Sequence, residues 1–323
     1  MNQCTHLKML GSSDAMEALR RQIEKIAGVD VPVTVLGETG TGKELAVRTI
    51  HYCSERRQAP FVPVNCGALP EALVESELFG HERGAFTDAK LVSGGLIGEA
   101  EGGTLFLDEI DALGLKAQAA LLRFLQDGSY RRVGGTKIRY ANVRVVVATN
   151  ADLAALVEAR QFRRDLLYRL DVVTLRIPSV RDRADDAVEL AEAFLDGLRT
   201  RYTKSAMRFH DTSYSHLRSH TWPGNVRELE NSVHRAFLLS EDGFVRLGSV
   251  VSTQDLGGAE PTAGRPFKAE RSAMITRFEV DYLRRLLAEA NGNLSLAARL
   301  AGEERSAFGK LVRKHGLVRD RSN

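Results

Sequence analysis

A glycine-rich stretch, Gly37-Glu38-Thr39-Gly40-Thr41-Gly42-Lys43, follows directly on the β-branched run Val31-Pro32-Val33-Thr34-Val35-Leu36 and opens a helical pattern. No other segment narrows the possible folds as much. Glycines so spaced let backbone N–H groups close around phosphate oxygens, Lys43 has the reach to meet outer phosphates, and a helix N-terminus favours negative charge. Glu44 stands where Ser or Thr usually follows the lysine.

Further short apolar runs lie at Phe61 to Val64, Thr104 to Leu107, Val143 to Thr149 and Val172 to Ile177, with helical patterns between them. One such pattern runs from Lys116 to Gln126, with Ala117, Ala120, Leu121, Phe124 and Leu125 on one face. Continuous apolar runs read as buried parallel strands, and their alternation with helices implies an α/β layered domain. From Asp185 to Ser240 amphipathic helices take over and suggest a helical lid, and residues 252–268 collect Ser, Thr, Gly and Pro as a linker does. The 323 residues, 43% apolar and 27% charged, suffice for two or three domains. No run approaches the roughly 20 apolar residues of a membrane span, and the start Met1-Asn2-Gln3-Cys4 lacks an apolar signal stretch, so a cytoplasmic protein with no membrane partner is expected. Cys4, Cys53 and Cys66 have no metal-ligand spacing and are expected to be reduced.

Polar residues gather at the predicted strand ends. Asp108 and Glu109 close the run Leu105-Phe106-Leu107, where Asp108 is suited to hold Mg²⁺, directly or through water, and Glu109 to orient or deprotonate an attacking water. Thr149 and Asn150 end another strand, with a hydroxyl and an amide suited to reading a phosphate, and Asn65 ends a third. Two acids at a strand end also occur in solvated turns; their distance from the phosphate loop favours the catalytic reading. Phe162 to Leu170 sets Arg163 and Arg169 beside an apolar face, an arrangement that a solvated helix with internal ion pairs shares. Trp222-Pro223-Gly224-Asn225-Val226-Arg227-Glu228 reads as a helix start. Separately, Gly84-Ala85-Phe86-Thr87-Asp88-Ala89 is a small-residue loop displaying an aromatic and a hydroxyl, for which nucleotide chemistry has no use.

That hexapeptide resembles the polymerase-contacting loop of the bacterial enhancer-binding proteins, the AAA+ activators of sigma-54 RNA polymerase. Their loop usually ends Thr-Gly-Ala, so Asp88 departs from it and puts a negative charge beside the contacts. The resemblance runs over residues of about 10 to 250 and 271 to 317 and combines six ordered motifs. It implies an AAA+ P-loop NTPase, a three-layer αβα domain with a parallel sheet, carrying a helical lid. ATP would be bound by Gly37, Glu38, Thr39, Gly40, Thr41, Gly42, Lys43 and Glu44, the Walker A stretch in which Glu44 is normal for the family. It further implies a Walker B pair at Asp108 and Glu109, sensor I at Thr149-Asn150, and a restraint on the catalytic glutamate by Asn65. Arg163 and Arg169 would be arginine fingers donated to a neighbouring subunit, and Arg227 sensor II. Phe86 and Thr87 would engage sigma-54.

The C-terminal segment carries its own signal. From Arg265 onward 13 Lys and Arg stand against 7 Asp and Glu, while the whole chain has a net charge of only +3. A helical pattern from Arg271 to Ala290 breaks at Asn291-Gly292-Asn293, and two short helical units follow, Leu294 to Leu300 and Glu304 to Lys314. Such a pair, with Arg305, Lys310, Arg313 and Lys314 to meet phosphates and Ser306 to approach bases, fits a helix-turn-helix reader of double-stranded DNA. Asn291 to Arg299 resembles the Fis-type domain that ends most enhancer-binding proteins. The expected division is an ATPase core over 1–180, a lid over 181–251, a linker over 252–268 and a Fis-like domain over 269–323. Activity through a ring, a hexamer or a co-assembly with a related subunit, is implied. The ATPase pattern begins by Leu10-Gly11, so no N-terminal sensory domain is expected, and control is expected from a regulatory protein in trans, from abundance or from co-assembly with a related subunit. Three functions stand open at this point: a sigma-54-dependent activator, a DNA-binding AAA+ regulator that Asp88 keeps from sigma-54, and a remodeller of another protein or nucleic acid.

Overall fold

The computed structural model describes residues 9–86, 89, 91–183, 185–240 and 242–248, and farther on 283, 286–287, 290, 293–301 and 305–315. They fall in two compact units, 1–250 and 251–323. Thr87, Asp88, the linker 252–268 and most of the helix expected from Arg271 to Ala290 lie outside the described residues.

In the first unit α1 (Asp14–Ala27), β1 (Val33–Leu36) and α2 (Lys43–Tyr52) are followed by β2 (Phe61–Asn65), α3 (Glu71–Phe79), α4 (Gly95–Glu99) and β3 (Thr104–Asp108). Next come α5 (Leu115–Asp127), the short strands β4 (Ser129–Tyr130) and β5 (Arg139–Tyr140), then β6 (Arg144–Thr149), α6 (Leu153–Glu158), α7 (Arg164–Leu170) and β7 (Val173–Arg176). Five strands form one sheet in the order β2-β3-β6-β1-β7, every pair parallel, as the continuous apolar runs require. Side chains alternate across it. Leu105, Leu107, Val145 and Val147 join one core with Leu78, Leu121 and Phe124, while Val33, Val35, Phe106 and Val146 join another with Ile23, Val47 and Ile50 on α1 and α2. Two apolar layers, one on each face, make the αβα sandwich.

The lid comprises α8 (Asp186–Tyr202), α9 (Asp211–Ser219) and α10 (Asn225–Leu239), packed around Leu195, Val233, Phe237 and the buried Trp222. It is not purely helical: β8 (Arg208–Phe209) pairs in parallel with β9 (Phe244–Val245). The pair β4 and β5 is likewise an addition to the expected strands, each strand being two residues long and too short to leave a period in the sequence. Cys53 is disulfide-bonded, against the expectation of reduced thiols, and Cys66 is a buried free thiol.

In the second unit α11 (Leu294–Leu300) and α12 (Arg305–Lys314) close on a small core of Leu283, Ala297, Ala298, Phe308 and Val312. Asn293 caps α11, its side-chain oxygen accepting from the N–H groups of Ser295 and Leu296 at 3.1 and 3.3 Å. Arg305, Lys310, Arg313 and Lys314 are exposed along α12. The side chain of Ser306 lies outside the described set.

Candidate functional site

Parallel strands deliver their carboxyl ends to one edge, and the order of this sheet brings four of those ends together. Leu36, the residue before the phosphate loop, stands in register with Thr149 on β6, and Asn65 on β2 stands in register with Asp108 on β3. A cleft of about 520 Å³ opens there, lined among others by Gly42, Lys43, Asn65, Asp108, Glu109 and Asn150, with Arg227 facing in from the lid. Thr39, Gly40 and Glu44 also line it.

The phosphate loop takes its shape from two left-handed glycines, Gly40 (φ 79°) and Gly42 (φ 97°), the latter preceding α2. Gly40 has a second constraint. A Cβ there would sit 2.3 Å from the carbonyl oxygen of Gly224, because the lid presses on the loop. Thr41 donates its hydroxyl to the Glu38 carbonyl at 2.8 Å. The Lys43 ammonium curls over the loop and donates to the carbonyls of Gly37 and Glu38 at 2.9 and 3.2 Å. Glu44 is clasped one turn on by Arg48 at 2.7 Å. Glu38 points away from the cleft to Arg181 and Asn225, and these hydrogen bonds hold its carboxyl down at about 2.

Burial works against both ions that face each other across the cleft. It lowers the Lys43 ammonium, with Asp108 and Glu109 partly opposing the shift. It raises the Asp108 carboxyl, with the Glu109 N–H and Lys43 partly restoring it. A polyanion beside Lys43 and a cation beside Asp108 would relieve both. Asp108 and Glu109 offer hard oxygen donors of the kind Mg²⁺ takes when phosphates supply the remaining ligands. Among the described residues no group of three His, Cys, Asp or Glu forms a self-sufficient metal cage.

Glu109 occupies the left-handed region, φ 55°, at a cost of about 1–2 kcal/mol for a residue with a side chain. Its N–H is anchored on Asp108 Oδ1 at 3.0 Å. Its carboxylate rests over Gly67, where a Cβ would lie 2.2 Å from Glu109 Oε2. Burial, with Asp108 adding to it, pushes the neighbouring Cys66 thiol up to about 12 and leaves it inert as a nucleophile.

The polar residues expected at the strand ends and at α7 find these places. The Thr149 hydroxyl is fully buried and donates to Asp111, so it orders the strand end, while Asn150 alone reaches the cleft, with Nδ2 donating to Thr39 Oγ1 at 3.2 Å. Asn65 lines the cleft, yet its side-chain oxygen is engaged by the Ala68 N–H at 3.1 Å. Neither Arg163 nor Arg169 lines the cleft of its own chain. Arg163 forms an ion pair with Asp165 at 2.7 Å, and Arg169 donates to the carbonyl of Leu125 at the end of α5 at 2.8 Å. Sequence reasoning read Asn225 only as part of a helix start and passed over Arg181, because their partners lie far along the chain.

Phe86 stands at the tip of a loop whose base is well held. The Glu82 N–H donates to Val133 O at 3.0 Å, Val133 N–H donates to Gly80 O at 2.8 Å, and Glu82 pairs with Arg132 and Arg139 beside β4 and β5. The Phe86 ring is 36% exposed and packs edge-on against His81, with centroids 5.0 Å apart. Leu91, just beyond, is 79% exposed.

Comparison with known proteins adds to this geometry. A family model described as the sigma-54 interaction domain matches residues 9–176, and one described as an AAA+ ATPase lid domain matches 181–261. The chain is 45% identical over 294 residues to the Nif-specific regulatory protein of Azotobacter vinelandii, covering 91% of this chain and 56% of that one. It is 41% identical over 318 residues to the anaerobic nitric oxide reductase transcription regulator NorR of Salmonella paratyphi C, covering 96% and 63% respectively. The chain thus spans little more than half the length of these relatives. NtrX from Brucella abortus, solved in complex with ATP, superposes with a TM-score of 0.70 at 32% identity, covering 96% of this chain and 69% of that one. The fold is that of an AAA+ P-loop NTPase with a helical lid.

Proposed function

Because the chain belongs to the family defined by the sigma-54 interaction domain, we propose that it is a sigma-54-dependent transcriptional activator that uses ATP hydrolysis to remodel the polymerase holoenzyme from closed to open promoter complex. One observation carries the reading: a single folded unit joins a cleft built for phosphate chemistry to an anchored loop that displays Phe86 to solvent. The ATP complex of the Brucella protein supports ATP as the ligand.

Lys43 and the N–H groups of the loop hold the phosphates, and Arg227 meets them from the lid. Asp108 would hold Mg²⁺, which supplies neutralisation of phosphate charge when bound. Glu109 takes the proton of the attacking water, and the Asn150 amide, held by Thr39, orders the outer phosphate. Arg163 and Arg169 serve the neighbouring subunit in a ring, a hexamer or a mixed assembly. Release of Arg163 from Asp165 and of Arg169 from Leu125 would free them for that role. Phe86 and Thr87 engage sigma-54, and the exposed cations of α12 bind upstream DNA. The site of action is the cytoplasm. Among the described residues no helix is long and apolar enough to cross a membrane.

The test is ATP-dependent opening of a sigma-54 promoter by the purified full chain, with Asp88→Gly alongside. Opening by the wild-type protein supports the reading. ATP hydrolysis and DNA binding without opening, together with opening by Asp88→Gly, would assign the wild-type loop to another partner.

A further inference from the structure

Asn225 is fully buried, yet it is a polar residue in the left-handed region, φ 53°, at the first position of α10. Its amide reaches two separate parts of the molecule. Oδ1 accepts from the Val180 N–H at 2.9 Å, on the segment joining β7 to the lid. Nδ2 donates to Glu38 Oε2 and to the Thr39 carbonyl, each at 3.1 Å. Only a side chain that donates on one edge and accepts on the other satisfies this set; a carboxylate lacks the donor and an apolar residue lacks both.

Two further contacts act beside it. The Val226 N–H donates to the Gly40 carbonyl at 3.0 Å, and Arg181 grips both carboxylate oxygens of Glu38, one N–H donating to Oε2 at 2.9 Å and another to Oε1. The loop is therefore held at the Glu38 side chain and at the Thr39 and Gly40 carbonyls by groups from the lid and its connection. Arg227, two residues after Asn225, faces the cleft from the same helix turn, so one rigid start of α10 both shapes the loop and brings a cation to it.

We propose that Asn225 is a positioning residue for nucleotide binding, fixing the phosphate loop against the lid so that both close on the phosphates as one piece. The proposal rests on the reading of the cleft as an ATP site. It predicts that the lid cannot swing without deforming the loop, and that loop and lid respond to nucleotide together.

The experiment measures binding of a fluorescent ATP analogue with Mg²⁺ to the full chain, together with kcat and KM for ATP. Asn225→Asp removes the donated hydrogen bonds to Glu38 and Thr39 and sets a carboxylate against Glu38, and is expected to weaken binding roughly tenfold or more, with KM rising and kcat changing far less. Adding Glu38→Gln gives the loop an amide that can donate to the new carboxylate, and is expected to recover most of the lost affinity. Unchanged binding in Asn225→Asp, or a double variant no better than the single one, overturns the proposal. If Asn225→Asp does not fold, Arg181→Met tests the same clasp from the surface; a roughly threefold weaker binding supports it and wild-type binding overturns it. Failure of the wild-type protein to bind the analogue would instead overturn the ATP-site reading itself, and this inference with it.

Discussion

The phosphate loop and the Phe86 loop are both glycine-containing turns between a regular element and a helix, and they are held in opposite ways. The first is clasped by Asn225, Val226 and Arg181, and it gathers charges whose ionisation burial makes costly. The second is tied at its base to the segment between β4 and β5 and to Arg139 on β5, and it presents a partly exposed aromatic ring that packs edge-on against His81. A fully clasped loop suits a site where atoms must be placed for a reaction; a loop anchored only at its base suits delivery of a contact to something outside the molecule. Chemistry and output are thus separated within one domain, and variants should separate them too.

The largest effect is expected at the clasped loop. Glu109→Gln removes the proposed proton acceptor while keeping shape, and should lower steady-state ATP hydrolysis by about 10²- to 10⁴-fold with nucleotide binding retained. A parallel loss of binding would make Glu109 a structural residue. Stability sharpens the contrast next. Trp222→Ala empties the centre of the lid and should cost about 3–5 kcal/mol in chemical denaturation, whereas Phe86→Ala should cost less than about 1 kcal/mol. Equal costs would mean that the Phe86 ring is a packing element.

These two residues also show what the sequence could and could not convey. Gly37 to Lys43 and Asp108-Glu109 were legible because their chemistry is local: spacing within one strand end decides it. The parallel sheet was legible because apolar runs without alternation have no other home. Asn225 and Arg181 were not, since Glu38 lies 187 and 143 residues away from them and only folding brings the three together. Thr149 shows a related limit. A strand-end hydroxyl has two sides to turn to, and only the structure shows Asp111 waiting on the buried one. The strands β4 and β5, which flank the segment that braces the Phe86 loop, were invisible because two residues carry no period.

The smallest expected effect concerns pH. The Glu38 carboxyl, held at about 2 by Arg181 first and Asn225 second, lies below its ordinary value of 4.5, so its contribution to stability is present above pH 4.5 and is lost as pH falls toward 2. Thermal unfolding of the wild-type protein should therefore lose its advantage over Glu38→Gln across that window. A constant difference down to pH 2 would show that the clasp does not depend on the charge of Glu38.

The central claim, that one loop performs the chemistry and another delivers it, is met most directly by measuring ATP hydrolysis and sigma-54 promoter opening side by side for Phe86→Ala. The account predicts hydrolysis within about twofold of wild type, since Phe86 lies outside the cleft lining, and no open complex. Opening at the wild-type rate, or hydrolysis lost together with opening, would contradict it.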